Sequence, residues 1–369
     1  MTSESPVLGL RTAYRFLDLH PKQPVHRLLN RARRQRSGDL LVPLVLSMAL
    51  REGHEGGTAT HHEISRARRR ANTYEGLFRA VSERHAVHLL KGNSIASHYP
   101  DGLVRSANDL DLSVTDEVTF WQVAATLQQL LPSLRPVELT AFQTDRGIHY
   151  AMTLQWPPED PLVDAPLRVE LSSFAFLGDE EGVPMRVAVP NARGTANVLA
   201  LAQEARERPL GLKDLMDVLA LTESGAMPDA ADLCAAADAW RLGPEVCQLG
   251  AFVQTYAPSA PEEAGVLEDS ALAKVADEET VRRGDRGRAP HRVTEDFHAV
   301  MGETLSGVEL RRRSPRSVAG TGAPTAFRDP GNEAILRTPV GDYLLAAAGS
   351  RLTSRNYRDA MSYVHMLTH

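Results

Sequence analysis

Two aspartates separated by a single residue are the clearest chemical signal in this sequence. Asp109 and Asp111 lie in the run NDLDLSV, in which polar and apolar residues alternate. Because side chains alternate across a β-strand, we expect both acids on one face and Leu110 and Leu112 on the other. Like charges side by side on a strand repel, and burial increases the repulsion. A bound divalent cation would remove this penalty, so the pair predicts metal-assisted chemistry on a phosphate group.

A third acid, Glu170, extends this prediction. It lies in the run LRVELS, where Leu167, Val169 and Leu171 fall on one face of a predicted strand and Glu170 on the other. If this strand lies beside the aspartate strand, three carboxylates can hold two Mg²⁺ ions. One ion would lower the pKa of an attacking hydroxyl, and the other would stabilise a leaving pyrophosphate. Alternatively, Glu170 pairs with Arg168 or is a solvated residue of the sheet; we favour the metal role.

A glycine turn between a predicted strand and a predicted helix supplies a possible phosphate site. Gly92 would let the backbone approach a phosphate closely, and free N–H groups at a helix start attract anions. Ser94 either caps the helix or donates to a phosphate oxygen. Lys91 and Arg105 flank this turn and could contact a triphosphate, although isolated residues of this kind are more often surface charges.

Lys213 and Asp217 are four residues apart on a predicted helix. At this spacing they can form a surface ion pair that stabilises the helix by about 0.2–0.5 kcal/mol. Alternatively, Lys213 reaches the phosphates of a bound nucleotide and Asp217 orients it. Spacing alone favours the surface pair.

Hydrophobic periodicity predicts an α+β fold, in which a small mixed β-sheet is flanked by N-terminal helices and a C-terminal helical region. The predicted strands lie at residues 85–90, 110–114, 137–144, 149–156 and 167–176. Helices are predicted across residues 25–34, 39–51 and 61–83, and again at 120–131, 195–208, 212–223, 230–242 and 244–256.

Four domains follow from these elements. They are an N-terminal helical region (1–84), a catalytic core (85–190), a helical nucleotide- or acceptor-binding region (191–257) and a partly flexible C-terminal extension (258–369). Residues 258–332 are rich in charge, Gly and Pro, so we expect a long loop, an arm or partial disorder there.

Composition restricts the partners. The net charge of -6 and the pI near 6.1 do not indicate a nucleic-acid partner, which stays open. Basic residues cluster only locally, at 31–36, 66–70 and 311–313, and do not decide the question. Only Cys234 and Cys247 occur, as suits a reducing compartment. No apolar run is long enough to cross a bilayer. We therefore expect a cytoplasmic protein with no membrane partner.

The motifs together resemble the DNA polymerase β-like nucleotidyltransferase superfamily. The resemblance rests on Lys91-Gly92-Asn93-Ser94, Tyr99-Pro100, Arg105 and Asp109-Leu110-Asp111, with Glu170 as the later acid. It is strongest to the uncharacterised bacterial branch with a Lys-Gly … Tyr-Pro … Arg … Asp-x-Asp pattern. The segment around Lys213 and Asp217 is similar to the Lys-Asp-x-x-Asp helix of abortive-infection-type nucleotidyltransferases. The third acid is Glu rather than Asp, and the likeness spans roughly residues 60–255.

This resemblance implies transfer of a nucleoside monophosphate from a nucleoside triphosphate to an acceptor, with release of pyrophosphate. Asp109, Asp111 and Glu170 would hold Mg²⁺ or Mn²⁺, and Asp111 or Glu170 would take the proton of the acceptor hydroxyl. The remaining site residues would bind the nucleotide: Lys91, Gly92, Ser94, Arg105, Lys213 and Asp217. The acceptor stays open among a small molecule, a peptide, a protein and RNA.

Two other functions are compatible with the sequence. The domain could bind a nucleotide or a partner protein without catalysis; loss of an acid would favour that function, and all three acids are present. The sequence agrees less well with a serine hydrolase, in which Ser94 would occupy a Gly-x-Ser nucleophile elbow. That fold needs several βα units before the elbow, whereas residues 1–84 have the pattern of helices.

Overall fold

The computed structural model describes residues 7–144, 147–178, 183–260, 262–285, 305–312, 325–328, 334–347 and 353–366. The α-helices are α1 (Leu10–Phe16), α2 (Val25–Arg33), α3 (Gly38–Arg51), α4 (Thr58–Ser82), α5 (Gly92–Ala96), α6 (Glu117–Leu130), α7 (Arg193–Glu207), α8 (Leu212–Glu223), α9 (Ala230–Ala239), α10 (Gly243–Tyr256), α11 (Ser270–Asp285) and α12 (Ser354–Met366). A 3₁₀ helix spans Glu262–Glu268. The strands are β1 (His88–Leu89), β2 (Asp109–Ser113), β3 (Arg135–Thr144), β4 (Gly147–Trp156), β5 (Leu167–Ser172), β6 (Leu305–Arg312), β7 (Thr325–Arg328), β8 (Ala334–Arg337) and β9 (Gly341–Ala347).

The strands form one mixed sheet in the order β1-β2-β5-β4-β3-β6-β9-β8-β7. β2 and β5 are parallel, whereas each other pair of neighbours in this sheet is antiparallel. The first five strands come from residues 88–172, and the last four extend the same sheet beyond β3. The predicted α+β class with a mixed sheet is therefore confirmed.

The apolar face of the sheet packs against α4 and α6. Leu110 and Leu112 of β2 are buried with Val169 and Leu171 of β5, in one core with residues of both helices. Fully burying each such side chain contributes about 1.5–3 kcal/mol. Because side chains alternate along a strand, the opposite face of β2 and β5 carries Asp109, Asp111 and Glu170.

A second core consists mainly of helices. It joins α1–α3 to α7–α11, and Met216 and Leu219 of α8 are fully buried within it. Helices of the predicted N-terminal region thus contribute to both cores: α1–α3 pack in the helical core, and α4 packs on the sheet. The candidate site lies where the sheet meets α7.

The C-terminal third is more structured than its composition indicates. A long loop, an arm or partial disorder was predicted across 258–332, but the 3₁₀ helix, α11, β6 and β7 lie there, so the long loop is wrong for these residues. α11 docks partly through ion pairs: Arg241 binds the buried Glu279 of α11, and Arg283 of α11 binds Glu245 of α10. Hydrophobic periodicity does not report such a helix. Residues 286–304, 313–324, 329–333, 348–352 and 367–369 of the predicted extension lie outside the described residues.

Among the helices that the structure describes, none has both the length and the apolar character that crossing a membrane requires.

The sheet core gives a direct test of the fold. Leu110→Ala should lower the free energy of unfolding by about 2–5 kcal/mol, because Leu110 is fully buried beneath α4 and α6. Urea denaturation measures this change. Val118→Ala on α6 is the control: Val118 is 59% exposed, so the change should stay within about 0.5 kcal/mol. Equal effects at the two positions would contradict the packing described above.

Candidate active site

The parallel pairing of β2 and β5 places the three acids on one polar face. Asp111 lies opposite Glu170 in the register, and Asp109 lies opposite Arg168. All three acids are partly buried. Arg168 Nη2 is 3.1 Å from Glu170 Oε1, so Glu170 makes the ion pair that the sequence offered as an alternative to a metal role.

Asp109, Asp111 and Glu170 form a row of acids whose electrostatics disfavour a negative charge on all three side chains at once. Burial raises the pKa of Asp111 to about 7; the negative charges of Asp109 and Glu170 add to the rise, while Lys91 and Arg105 oppose it. Burial also raises the pKa of Glu170, again with a contribution from Asp109. Burial and the neighbouring acids thus both penalise negative charge on Asp111 and Glu170.

Lys91 is the cation that most strongly opposes the rise in the pKa of Asp111. Its backbone has φ +51° and ψ -137°, a conformation that non-glycine residues rarely adopt and that costs roughly 1–3 kcal/mol. Lys91 Nζ lies 3.4 Å from Glu204 Oε1 of α7. Burial would lower the pKa of Lys91, but Asp111 and Glu207 outweigh burial and raise it. Lys91 is thus held charged between α7 and the acids of β2.

A cleft of about 220 Å³ brings three of the predicted residues together. Lys91, Asp111 and Glu170 line it, with Gln203 and Glu207 of α7 on its other wall. Sequence reasoning missed the residues of α7. A signal was present, because Gln203 and Glu207 are one helical turn apart in a largely apolar helix; Gln203 Nε2 donates to Glu207 Oε1 at 2.9 Å.

Gly92 and Ser94 make packing contacts in this structure. A Cβ atom at Gly92 would lie 3.1 Å from Arg105 Nη1, so the glycine lets α5 approach that guanidinium. Ser94 is fully buried, and its Oγ accepts a hydrogen bond from Arg193 Nε at 3.0 Å. α5 has only five residues, which limits the anion attraction of its N-terminus.

Arg105, Lys213 and Asp217 meet in a second, buried cluster. Arg105 binds Asp217 through two hydrogen bonds, Nε to Oδ1 at 3.1 Å and Nη2 to Oδ2 at 2.9 Å. Lys213 Nζ lies 3.3 Å from Asp217 Oδ2 and 2.9 Å from Asp214 Oδ1, and the Lys213 side chain is 11% exposed. Tyr99 donates its hydroxyl proton to Asp217 at 2.7 Å. The pair that spacing alone placed on the surface is therefore buried.

The charges in this cluster are balanced. Burial alone would raise the pKa of Asp217, but Arg105 and Lys213 outweigh burial and lower it to about 2. Burial would also raise the pKa of Asp214, and Lys213 and Arg208 reverse that effect. Both carboxylates are therefore ionised at neutral pH, in contrast to Asp111 of β2, whose pKa is raised.

The acids on β2 and β5 are chemically suited to a divalent cation. Carboxylate oxygens are the ligands that Mg²⁺ and Mn²⁺ prefer, and a bound cation would offset the burial and repulsion that raise the pKa of Asp111. Among the described residues, no group of three or more His, Cys, Asp or Glu side chains is arranged so that it could hold a metal ion. The residue types thus fit a metal ion. To bind one, the carboxylates of Asp109, Asp111 and Glu170 would have to move closer together.

Comparisons with known proteins assign no function to this chain. No family model matches the chain, and no curated protein matches it. One similar solved structure is the crystal structure of JHP933 from Helicobacter pylori, with 12% sequence identity over 58% of this chain and 94% of that chain. Its TM-score is 0.28, which supports no conclusion about fold or function.

The buried cluster predicts a large effect of one substitution. Asp217→Asn should lower the free energy of unfolding by about 3–5 kcal/mol, because it leaves the Arg105 guanidinium buried without a carboxylate. Denaturation at pH 7 measures the loss. Glu75→Gln, at an exposed i,i+4 pair with Arg79, should change stability by no more than about 0.5 kcal/mol. A loss at Asp217 no larger than at Glu75 would show that the buried pair contributes little.

The acid row predicts a dependence of stability on pH. Asp111 has an ordinary pKa of 3.8 when unfolded and a pKa of about 7 when folded, so the folded state binds the extra proton between these values. Stability should therefore fall as pH rises from about 4 to about 7. Asp111→Asn removes this fall. The free energy of unfolding of the variant, compared with that of the parent protein, should therefore be higher at pH 8 than at pH 5.

Urea midpoints at the two pH values, in chelator-treated buffer, measure this difference. Asp101→Asn at an exposed turn residue is the control and should show no such gain. A gain that is the same at pH 5 and pH 8 would contradict the raised pKa.

Proposed function

We propose that this protein is a metal-dependent nucleotidyltransferase. It would transfer a nucleoside monophosphate from a nucleoside triphosphate to an acceptor and release pyrophosphate. The observation that supports this most directly is the register of β2 and β5, which sets Asp111 opposite Glu170. Asp109 lies two residues before Asp111, on the same face of β2. Asp111 and Glu170 face a cleft that Lys91 also lines, and burial beside other acids raises the pKa of Asp111.

Asp109, Asp111 and Glu170 would hold Mg²⁺ or Mn²⁺. Bound there, the ion would neutralise the carboxylates and stabilise charge on the transferring phosphoryl group. The acceptor oxygen forms a bond to the α-phosphorus while the bond from phosphorus to pyrophosphate breaks. The proton of the acceptor hydroxyl passes to a carboxylate, either Asp111 or Glu170, which acts as the general base.

Lys91 is the best placed of the proposed nucleotide-binding residues. It lines the cleft beside Asp111, and its cation would attract a triphosphate. Gly92, Ser94, Arg105, Lys213 and Asp217 remain proposed parts of the nucleotide site. Arg105 and Lys213 both pair with Asp217, so a triphosphate would compete with that carboxylate for them.

The hydrolase alternative gains no support from Ser94. A nucleophilic serine needs a base within hydrogen-bond reach, usually histidine. Ser94 is buried and its hydroxyl bonds to Arg193, whereas the nearby His98 bonds to Ser224. Nucleotide binding without catalysis is separated from transfer by the experiment below.

Metal-dependent nucleotide binding tests the proposal. The purified protein should bind at least one nucleoside triphosphate in Mg²⁺ or Mn²⁺ and lose this binding in chelator. Asp109→Asn and Asp111→Asn should each weaken metal-dependent binding by roughly 100-fold, since each removes a charged ligand. Asp101→Asn is the matched control at an exposed acid. Circular dichroism checks that each variant folds.

Transfer is measured as pyrophosphate release with radiolabelled nucleotide and host small-molecule, protein and RNA fractions. Binding without transfer to any fraction would favour the non-catalytic function. If both variants retain full metal-dependent affinity, the carboxylates do not hold the metal and the proposal fails.

A further inference from the structure

A second cleft, of about 570 Å³, lies at the opposite end of the carboxylate row. Asn108 and Arg168, near the starts of β2 and β5, line this second cleft, whereas Asp111 and Glu170 line the cleft of Lys91. Arg168 and Glu170 lie on the same face of β5, so the two clefts meet along that strand. Asp109 lies between them, next to Asn108 in the chain and opposite Arg168 in the register.

Two arginine clusters that are distant in sequence meet at the second cleft. Arg33 belongs to the basic run 31–36, and Arg66 and Arg70 belong to the run 66–70. The packing of α2 on α3 and of α3 on α4 brings the three side chains to one cavity, with Arg168 of β5. We call this cavity the arginine cleft. Neither basic run had a role in the proposed function.

The arginines differ in how far their charge is compensated. Three acids also line the cleft: Asp39, Glu63 and Asp164. Glu63 and Asp164 both pair with Arg66, at 3.2 Å and 2.6 Å. The Arg66 charge is therefore neutralised within the protein.

Arg70 and Arg168 retain donor capacity. Arg70 donates to neutral oxygens, Asn108 Oδ1 at 3.3 Å and the carbonyl of Ala165, and takes part in none of the ion pairs among the described residues. Arg168 pairs with Glu170, while its buried Nε has no hydrogen-bond partner in the described part of the chain. A bound anion in the cleft would give both guanidinium groups a charge-assisted partner.

We propose that the arginine cleft is the acceptor site, and that it takes a small molecule with a phosphate or carboxylate group held by Arg70 and Arg168. The inference rests on the proposed function. The planar donor fork of arginine matches both anionic groups. The volume lies in the range of about 300–1,000 Å³ that is typical of small-ligand sites. Because Asp109 lies opposite Arg168, an anchored molecule would present its hydroxyl beside the carboxylates.

Arginine-selective labelling with phenylglyoxal tests the site on the full chain, without nucleotide or metal. Labelling rates are read by peptide mass spectrometry in chloride, inorganic phosphate or acetate at equal ionic strength. Phosphate or acetate should slow labelling of Arg70 and Arg168 by about threefold or more. The comparison of phosphate with acetate shows which anionic group the site prefers. Arg79, 69% exposed on the same helix, is the matched control and should label equally in all three salts.

A variant adds a second readout. Arg70→Gln should weaken phosphate affinity about tenfold, measured through protection of Arg168, because a charge-assisted contact is lost. Arg79→Gln should leave that affinity unchanged. No protection by either anion, or equal protection of Arg79, overturns the anion site.

Two further outcomes separate this inference from the proposed function. Protection in a protein that shows no metal-dependent nucleotide binding would leave an anion site but overturn both the proposed function and the acceptor role. Metal-dependent nucleotide binding without protection would overturn the role of the arginine cleft alone. A short RNA oligonucleotide that protects both arginines where phosphate and acetate do not would also overturn the inference, in favour of a nucleic-acid surface.

Discussion

The buried ion pair of Arg105 and Asp217 joins the two hydrophobic cores of this protein. Arg105 lies in the segment that leads into β2, whose apolar residues pack in the sheet core, while Asp217 lies on α8 in the helical core. Removing two charges from water costs several kcal/mol for each ion, so such a pair is stable only with good geometry and further hydrogen bonds. The two-point contact with Arg105, the hydroxyl of Tyr99 and the ammonium of Lys213 supply these bonds.

The candidate site depends on that junction. One wall of the Lys91 cleft belongs to the sheet, and the other belongs to α7, which packs in the helical core. The distance between the walls is therefore set by how the two cores are held together. The short helix α5 lies at the same junction, because Gly92 lets its backbone pack against the guanidinium of Arg105. A balanced, rigid cluster thus supports a neighbouring row of acids whose charge is not balanced.

Local sequence patterns predicted much of this arrangement. The bounds of α8 agree with the predicted helix at 212–223, and alternation placed Asp109 and Asp111 on one face of β2. The sequence predicted that Asp111 and Glu170 lie together only if β2 and β5 are neighbours. That condition could not be tested from local patterns, because the two strands are not consecutive in the chain. The pairing of Arg105 with Asp217, 112 residues apart, has no local signal at all. The helix α11 was missed because it binds Arg241 and Glu245 through its charged residues Glu279 and Arg283, and a charged segment is typical of a loop as well.

The position of β6 has a consequence for synthesis of the chain. β3 pairs with β4 on one side and with β6 on the other, where Leu139 lies opposite Gly307. A ribosome completes β3 by residue 144 but reaches β6 only at residue 305. Until then β3 is an edge strand with open backbone donors and acceptors, which are a template for pairing with other chains. At about 5–20 residues per second this exposure lasts on the order of 10 s, so the nascent chain has a defined period of vulnerability to aggregation.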